Sequence, residues 1–267
     1  MNLIILTEKD SRGAGRYAVS DSRAEHIRSI LKLSTGDTVE IGMLDGPVGV
    51  ATIESIDFSS VTLTVEETQP APQSFPSIDI ICAVPRPQTL KKVLLTSAMM
   101  GVRNLHLVRA NRTEKSYLQS PLMSAEQQEP FLLEGLSQGK RTHIPQVTLH
   151  PLFRPFIEDT WPALMSRNYP DNIDDLDKVA NTDNADNAPT LLLADMDTTT
   201  PMSAITALRS ATQVVVAIGP EGGWIDYEVE HFTRLGFIPF CLGPWVLRVE
   251  HALTAALAQV RLVTTDK

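Results

Sequence analysis

Two glycine–proline turns near the carboxyl end of the chain carry the clearest chemical signal. Ile218-Gly219-Pro220-Glu221-Gly222-Gly223-Trp224 closes the apolar run Val214–Ile218, and Leu242-Gly243-Pro244-Trp245-Val246-Leu247-Arg248 follows Phe237–Cys241. Each turn stands at the carboxyl end of a strand-like run, where open α/β sheets place their ligands. Glycine lets backbone approach a ligand and take positive φ, while proline fixes its own φ and removes a donor. The loop N–H and C=O groups can hold polar ligand atoms, and Leu242, Val246 and Leu247 can form an apolar wall. Ordinary turn geometry is the alternative for Gly219, Gly222, Gly223 and Gly243, and it would be the default for one loop alone. Two such loops at consecutive strand ends point to one shared pocket. Arg248 and Glu250 then open a helix. A guanidinium there can donate to an oxyanion or a phosphate. A carboxylate can take a proton or orient the arginine, its charged form favoured by the helix N-terminus. A pair that only locks the fold is the competing reading.

The run IGPEGGW, followed about two dozen residues on by LGPWVLRVEHALTAAL, resembles the signature of RsmE-type ribosomal RNA methyltransferases of the SPOUT class. The resemblance implies an α/β protein with an N-terminal PUA-like β-barrel. Behind it would come a C-terminal α/β-knot (SPOUT) domain with a mostly parallel sheet. It implies S-adenosylmethionine as cofactor, held by Leu193, Ala194, Ile218, Gly219, Pro220, Glu221, Gly222, Gly223, Leu242, Gly243, Val246 and Leu247. The implied acceptor is N3 of a uridine in small-subunit (16S) ribosomal RNA, and the implied assembly is a homodimer through the knot domain. That nitrogen becomes nucleophilic only when its proton leaves, and the anion spreads over two flanking carbonyl oxygens. Arg248 would donate to one of them, and Glu250 would take the proton or orient Arg248. Anion meets sulfonium, so charge cancels in the transition state and positioning should carry most of the acceleration. The chemistry needs no metal; the chain has no CxxC and no HExxH, and its six histidines are scattered. Some positions depart from the family. Val249 and His251 stand where it has threonines beside the glutamate, and Ile225 replaces a capping serine, although Asp226 could cap one residue later. Glu228 matches.

The elements that must position these residues can be read in chain order. Residues 1–70 alternate apolar and polar side chains in short runs, as a small β-barrel does. One helix interrupts them, with Ser22-Arg23-Ala24-Glu25 fitting a capping box. Gln69–Pro76 holds three prolines in eight residues, which marks a linker. Residues 77–267 alternate strand and helix patterns, which argues for a parallel sheet covered on both faces. Lys92 and Gly101-Val102 match a family stretch in which Met99-Met100 replace Glu-Leu. Ser124–Gln138 reads as a helix that Pro130 must kink or begin. Asp195 and Asp197 either accept from ribose hydroxyls or cap a helix beginning near Pro201, and the cap is the favoured reading.

The net charge of −9 argues on its face against a nucleic-acid partner. Its distribution answers this. Residues 168–188 hold six Asp against one Lys and read as a mobile, solvated acidic insertion, whereas Arg86 to Lys115 holds seven Lys or Arg against one Glu. Arg86, Arg112, Lys140 and Arg141 are the RNA-binding candidates, with ordinary solvated surface charge as the alternative. Cys82 and Cys241 in apolar runs suit free thiols of a reducing compartment, no stretch is long and apolar enough to span a membrane, and a cytoplasmic protein is expected. Two other functions stay open: ribose 2′-O methylation by the same class of fold, and a non-catalytic RNA-binding role in ribosome assembly.

Overall fold

The computed structural model describes residues 2–72, 76–168 and 188–265. Nearly all of the expected acidic insertion at 168–188, and the middle of the expected linker, therefore lie outside the described residues.

The alternating runs of the first third build one six-stranded sheet. Its strands are β1 (Ile4–Leu6), β2 (Ser11–Gly13), β3 (Arg16–Val19), β4 (Thr38–Met43), β5 (Val48–Ile56) and β6 (Val61–Gln69). They lie in the order β1-β4-β5-β6-β3-β2, antiparallel except where β1 meets β4. The sheet curls into a half-barrel because alternate residues point inward: Val39, Ile41, Ala51, Ile53, Val61 and Leu63 share a core with Ile27. Ile27 comes from helix α1 (Ser22–Glu25) and the π-helical turn His26–Ile30 that extends it. The expected capping box is displaced by one residue. Asp21 is the cap, accepting from Arg23 N–H at 2.9 Å, and Ser22 is the first helical residue.

The rest of the chain builds a second, all-parallel sheet. Its strands are β7 (Ser77–Ala83), β8 (Val102–Val108), β9 (Gln146–His150), β10 (Thr190–Ala194), β11 (Gln213–Ile218) and β12 (Ile238–Phe240), in the order β12-β10-β11-β7-β8-β9. Both faces are covered, so the central strands read as continuous apolar runs rather than alternating ones. Ile78, Ile80, Val214 and Val216 face α2 (Pro87–Met99), α3 (Ala125–Gly139) and α7 (Val249–Thr265). Ile81, Ala83, Val215 and Ala217 face an aromatic layer of Phe153, Phe156, Trp161, Phe232 and Phe237. That layer comes from α4 (Phe153–Pro155), a π-helical turn Phe156–Thr160, α5 (Trp161–Asn168) and α6 (Asp226–Arg234) with the residues after it. Pro130 neither starts nor ends α3, which runs through it.

The two sheets are joined along a tight seam. Leu3 and Ile5 belong to the main core beneath α2, α3 and α7. Leu3 and Ser137 exchange hydrogen bonds of 3.0 and 2.6 Å, and Thr142 Oγ1 donates to Gly46 O at 2.7 Å. At the other end of the sheet, β12 adds to the outer side of β10. The chain then passes the 195–201 loop, Cys241 N–H donating to Thr200 O at 2.8 Å, and α7 returns against α2 and β11. This is the half-barrel plus parallel α/β architecture that the sequence led us to expect.

Candidate active site

The carboxyl ends of β10, β11 and β12 open into one cleft. Three loops line it: Ala194–Asp197 after β10, Ile218–Trp224 after β11, and Cys241–Leu247 after β12, with Val249 and Ala252 of α7 behind. Of the expected cofactor residues, Ala194, Ile218, Gly219, Pro220, Glu221, Gly222, Gly223, Leu242, Gly243 and Leu247 are brought together here. Leu193 and Val246 are not. Leu193 is wholly buried in the aromatic layer on the opposite face, because side chains alternate along β10, and Val246 is 75% exposed.

The glycines serve different needs. Gly243 has φ +135°, where any other side chain would be strained. Gly219 has an ordinary φ but lies under Trp224, and a Cβ there would sit 3.2 Å from Trp224 N and from its ring. Gly223 takes φ +74° and donates N–H to Pro220 O at 2.8 Å, closing the first turn. Asp195 and Asp197 do not cap a helix, in contrast to the favoured sequence reading. Short 3₁₀ turns, not an α-helix, follow Pro201, and Asp195 Oδ1 instead accepts from Asp197 N–H at 3.1 Å. Both carboxylates line the cleft with Glu221. Beneath them the buried Cys82 thiol is pushed up to about 12 by burial and by the Glu221 carboxylate, so it stays protonated.

A buried carboxylate ties the neighbouring loop to this cleft. Glu228, 1% exposed, accepts from Ile225 N–H at 3.1 Å and from Asn111 N–H at 2.7 Å. Asp226 is the first helical residue, so the cap expected of it is absent; Glu228 reaches back to the helix entrance instead. The same loop carries Arg112, which lines the cleft and donates to Gly222 O. Arg86, exposed at the N-terminal end of α2, donates to Thr89 Oγ1 at 3.2 Å. Lys140 and Arg141 lie elsewhere, near the amino-terminal ends of the parallel strands. Lys140 pairs with Glu40 of the half-barrel at 2.6 Å, and burial lowers the Arg141 pKa.

Arg248 and Glu250 are both at the start of α7, but they do not form the expected pair. Arg248 is exposed and makes no ion pair with any described residue. Glu250 is 4% exposed, and its Oε1 accepts from Lys92 Nζ of α2 at 3.1 Å. Burial pushes the Glu250 carboxyl up, but its backbone N–H and the Lys92 ammonium outweigh that and hold it below the usual carboxylate range. Lys92 matched the family stretch in the sequence, where no role attached to it, and that match was its only signal. Trp224, Met196, Cys241 and Ala252 were not singled out as cleft residues either.

A curled six-stranded half-barrel and an all-parallel sheet, with two glycine loops over a cleft at its carboxyl edge, make up the same fold as solved ribosomal RNA methyltransferase structures. The RNA methyltransferase domain model matches residues 72–261, and the chain belongs to that family. It is 27% identical to the ribosomal RNA small subunit methyltransferase E of Treponema pallidum (strain Nichols), over 97% of this chain and 90% of that protein. It is 21% identical to the protein of the same name from Bacillus subtilis (strain 168), over 99% and 98% of the two chains. The crystal structure of a ribosomal RNA small subunit methyltransferase E from Neisseria gonorrhoeae bound to S-adenosyl methionine superposes with a TM-score of 0.72 at 16% identity, covering 98% of each chain.

Proposed function

We propose that this enzyme transfers a methyl group from S-adenosylmethionine to N3 of a uridine in small-subunit (16S) ribosomal RNA, working as a homodimer in the cytoplasm. One observation carries the reading: the two glycine loops and the Ala194–Asp197 loop, from three different strands, converge on a single cleft. Its donor set suits the cofactor. Ile218, Leu242, Leu247 and Ala252 offer an apolar wall for adenine, while the carboxylates of Asp195, Asp197 and Glu221 suit ribose hydroxyls and a cationic ligand. When bound, S-adenosylmethionine supplies an activated methyl group that departs from a sulfonium centre, leaving a neutral thioether. The chain's own residues must hold the RNA, exclude water and favour the N3 anion. Arg248, exposed just before α7, can donate to RNA oxygens, as can Arg112 in the cleft lining and Arg86, exposed at the start of α2. The Treponema, Bacillus and Neisseria relatives, named for small-subunit ribosomal RNA methylation, support the substrate.

Titration calorimetry with S-adenosylmethionine, followed by methyl transfer to unmethylated small subunits, tests the reading. The wild type should bind and transfer. Arg248→Ala should bind the cofactor within a few fold of wild type but turn over about a hundredfold more slowly, as loss of a transition-state donor does. Full activity in that variant would remove Arg248 from the mechanism, and no cofactor binding by the wild type would remove the function.

A further inference from the structure

The partner that Glu250 takes in place of Arg248 has the features of a working group. Lys92 stands in the second turn of α2, roughly 8 Å along the helix from its first residue. Its side chain is 60% exposed, whereas that of Glu250 is 5% exposed. One Glu250 oxygen is taken up by Lys92, and the other, Oε2, is shut away from solvent with no hydrogen-bond partner among the described residues. The carboxylate therefore presents no free oxygen to a docked base. The ammonium does present donors, and an ammonium has three to give.

We propose that Lys92 is a catalytic residue, its ammonium donating to a carbonyl oxygen of the target uracil and stabilising the N3 anion, while Glu250 is a positioning residue that holds Lys92. This rests on the reading of the enzyme as a uridine-N3 methyltransferase. The N3 anion shares its charge between two carbonyl oxygens, so two donors have work to do: Arg248 from the loop after β12 and Lys92 from α2. The N3 proton then passes to solvent, not to Glu250. A carboxyl held below its usual range is too weak a base for so weak an acid, which agrees with the geometry. Glu250 in turn sits within the first turn of α7, one residue from the cleft-lining Val249, where the helix N-terminus favours its charge. The pair thus fixes the donor between two helices that pack together.

The test compares wild type, Lys92→Met and Lys92→Arg in single-turnover methyl transfer to unmethylated small subunits. The same particles are also reconstituted with 5-fluorouridine RNA. Fluorine makes N3–H more acidic and its anion less in need of a donor. On ordinary RNA, Lys92→Met should lower the rate by about a hundredfold with cofactor affinity kept within about twofold, and Lys92→Arg should recover much of it. On fluorinated RNA the deficit should shrink to about tenfold or less. A deficit equal on both RNAs would mean that Lys92 only ties α2 to α7, and an unchanged rate would mean that it does nothing; either overturns the proposal. Lys92→Met leaves a buried carboxylate unpaired and could unfold the enzyme. The double variant Lys92→Met/Glu250→Gln removes that charge and should show the same RNA-dependent deficit. Nucleoside analysis of the wild-type product separates the two claims. A product other than 3-methyluridine overturns the functional reading, whereas 3-methyluridine with an undiminished Lys92→Met rate overturns only the role of Lys92.

Discussion

At Gly243 the backbone takes φ +135° at the edge of the cleft, and a Cβ there would lie 3.1 Å from the Trp245 ring. Gly243→Val therefore forces the loop after β12 into a new path, at a local strain of order 1–3 kcal/mol. Calorimetry should show S-adenosylmethionine affinity falling by at least tenfold while the melting transition moves only a few degrees; unchanged affinity would remove this loop from the cofactor site. Gly219 is a less clean probe, since valine there presses first on Trp224. The glycine turns and the place of Arg248 and Glu250 at the opening of the last helix were legible because residue type and local spacing carried them. The partner of Glu250 was not, because Lys92 lies 158 residues away and only the packing of α2 on α7 brings the two together. Leu193 was adjacent in sequence to a cleft residue, but strand alternation turns it the other way.

Between elements, Glu228 decides how the Asn111–Arg112 loop meets α6. Its buried carboxylate satisfies two backbone N–H groups from two different loops. Glu228→Ala should leave both donors unmet and cost about 2–4 kcal/mol of stability. It should also loosen Arg112 from Gly222 O. Chemical denaturation measures the first, and a loss below about 0.5 kcal/mol would show that water replaces the carboxylate. The element pattern itself was largely readable, since buried parallel strands are continuous apolar runs and the barrel strands alternate. Their boundaries were less so. The π-helical turns at His26–Ile30 and Phe156–Thr160 leave no sequence mark, α3 tolerates Pro130 in its interior, and Asp195 and Asp197 met no helix to cap.

For the molecule as a whole, stability should carry the imprint of a buried histidine pair. His106 Nδ1 and His150 Nε2 lie 3.2 Å apart beneath Phe156 and Trp161, and burial, then His106, brings His150 down to about 4 from 6.5. Above pH 6.5 the ring is neutral both folded and unfolded, so it contributes in full. As pH falls towards 4, the unfolded chain binds the proton first and that contribution is lost. Between about pH 7.5 and pH 5, His150→Asn should lose about 2 kcal/mol less stability than wild type; parallel curves would contradict this. The two-sheet plan was legible from the change of pattern near the Gln69–Pro76 prolines, but the seam was not. Leu3 and Ile5 belong to the core of the parallel sheet's helices, which no local pattern in a strand of the half-barrel reveals.

The most direct test of the central claim is nucleoside mass spectrometry of small-subunit ribosomal RNA from cells with and without this enzyme. Cells with the enzyme should carry one 3-methyluridine per RNA, absent without it and restored when the wild-type chain is supplied. Full 3-methyluridine in cells lacking it, or loss of a ribose-methylated nucleoside instead, would contradict the account.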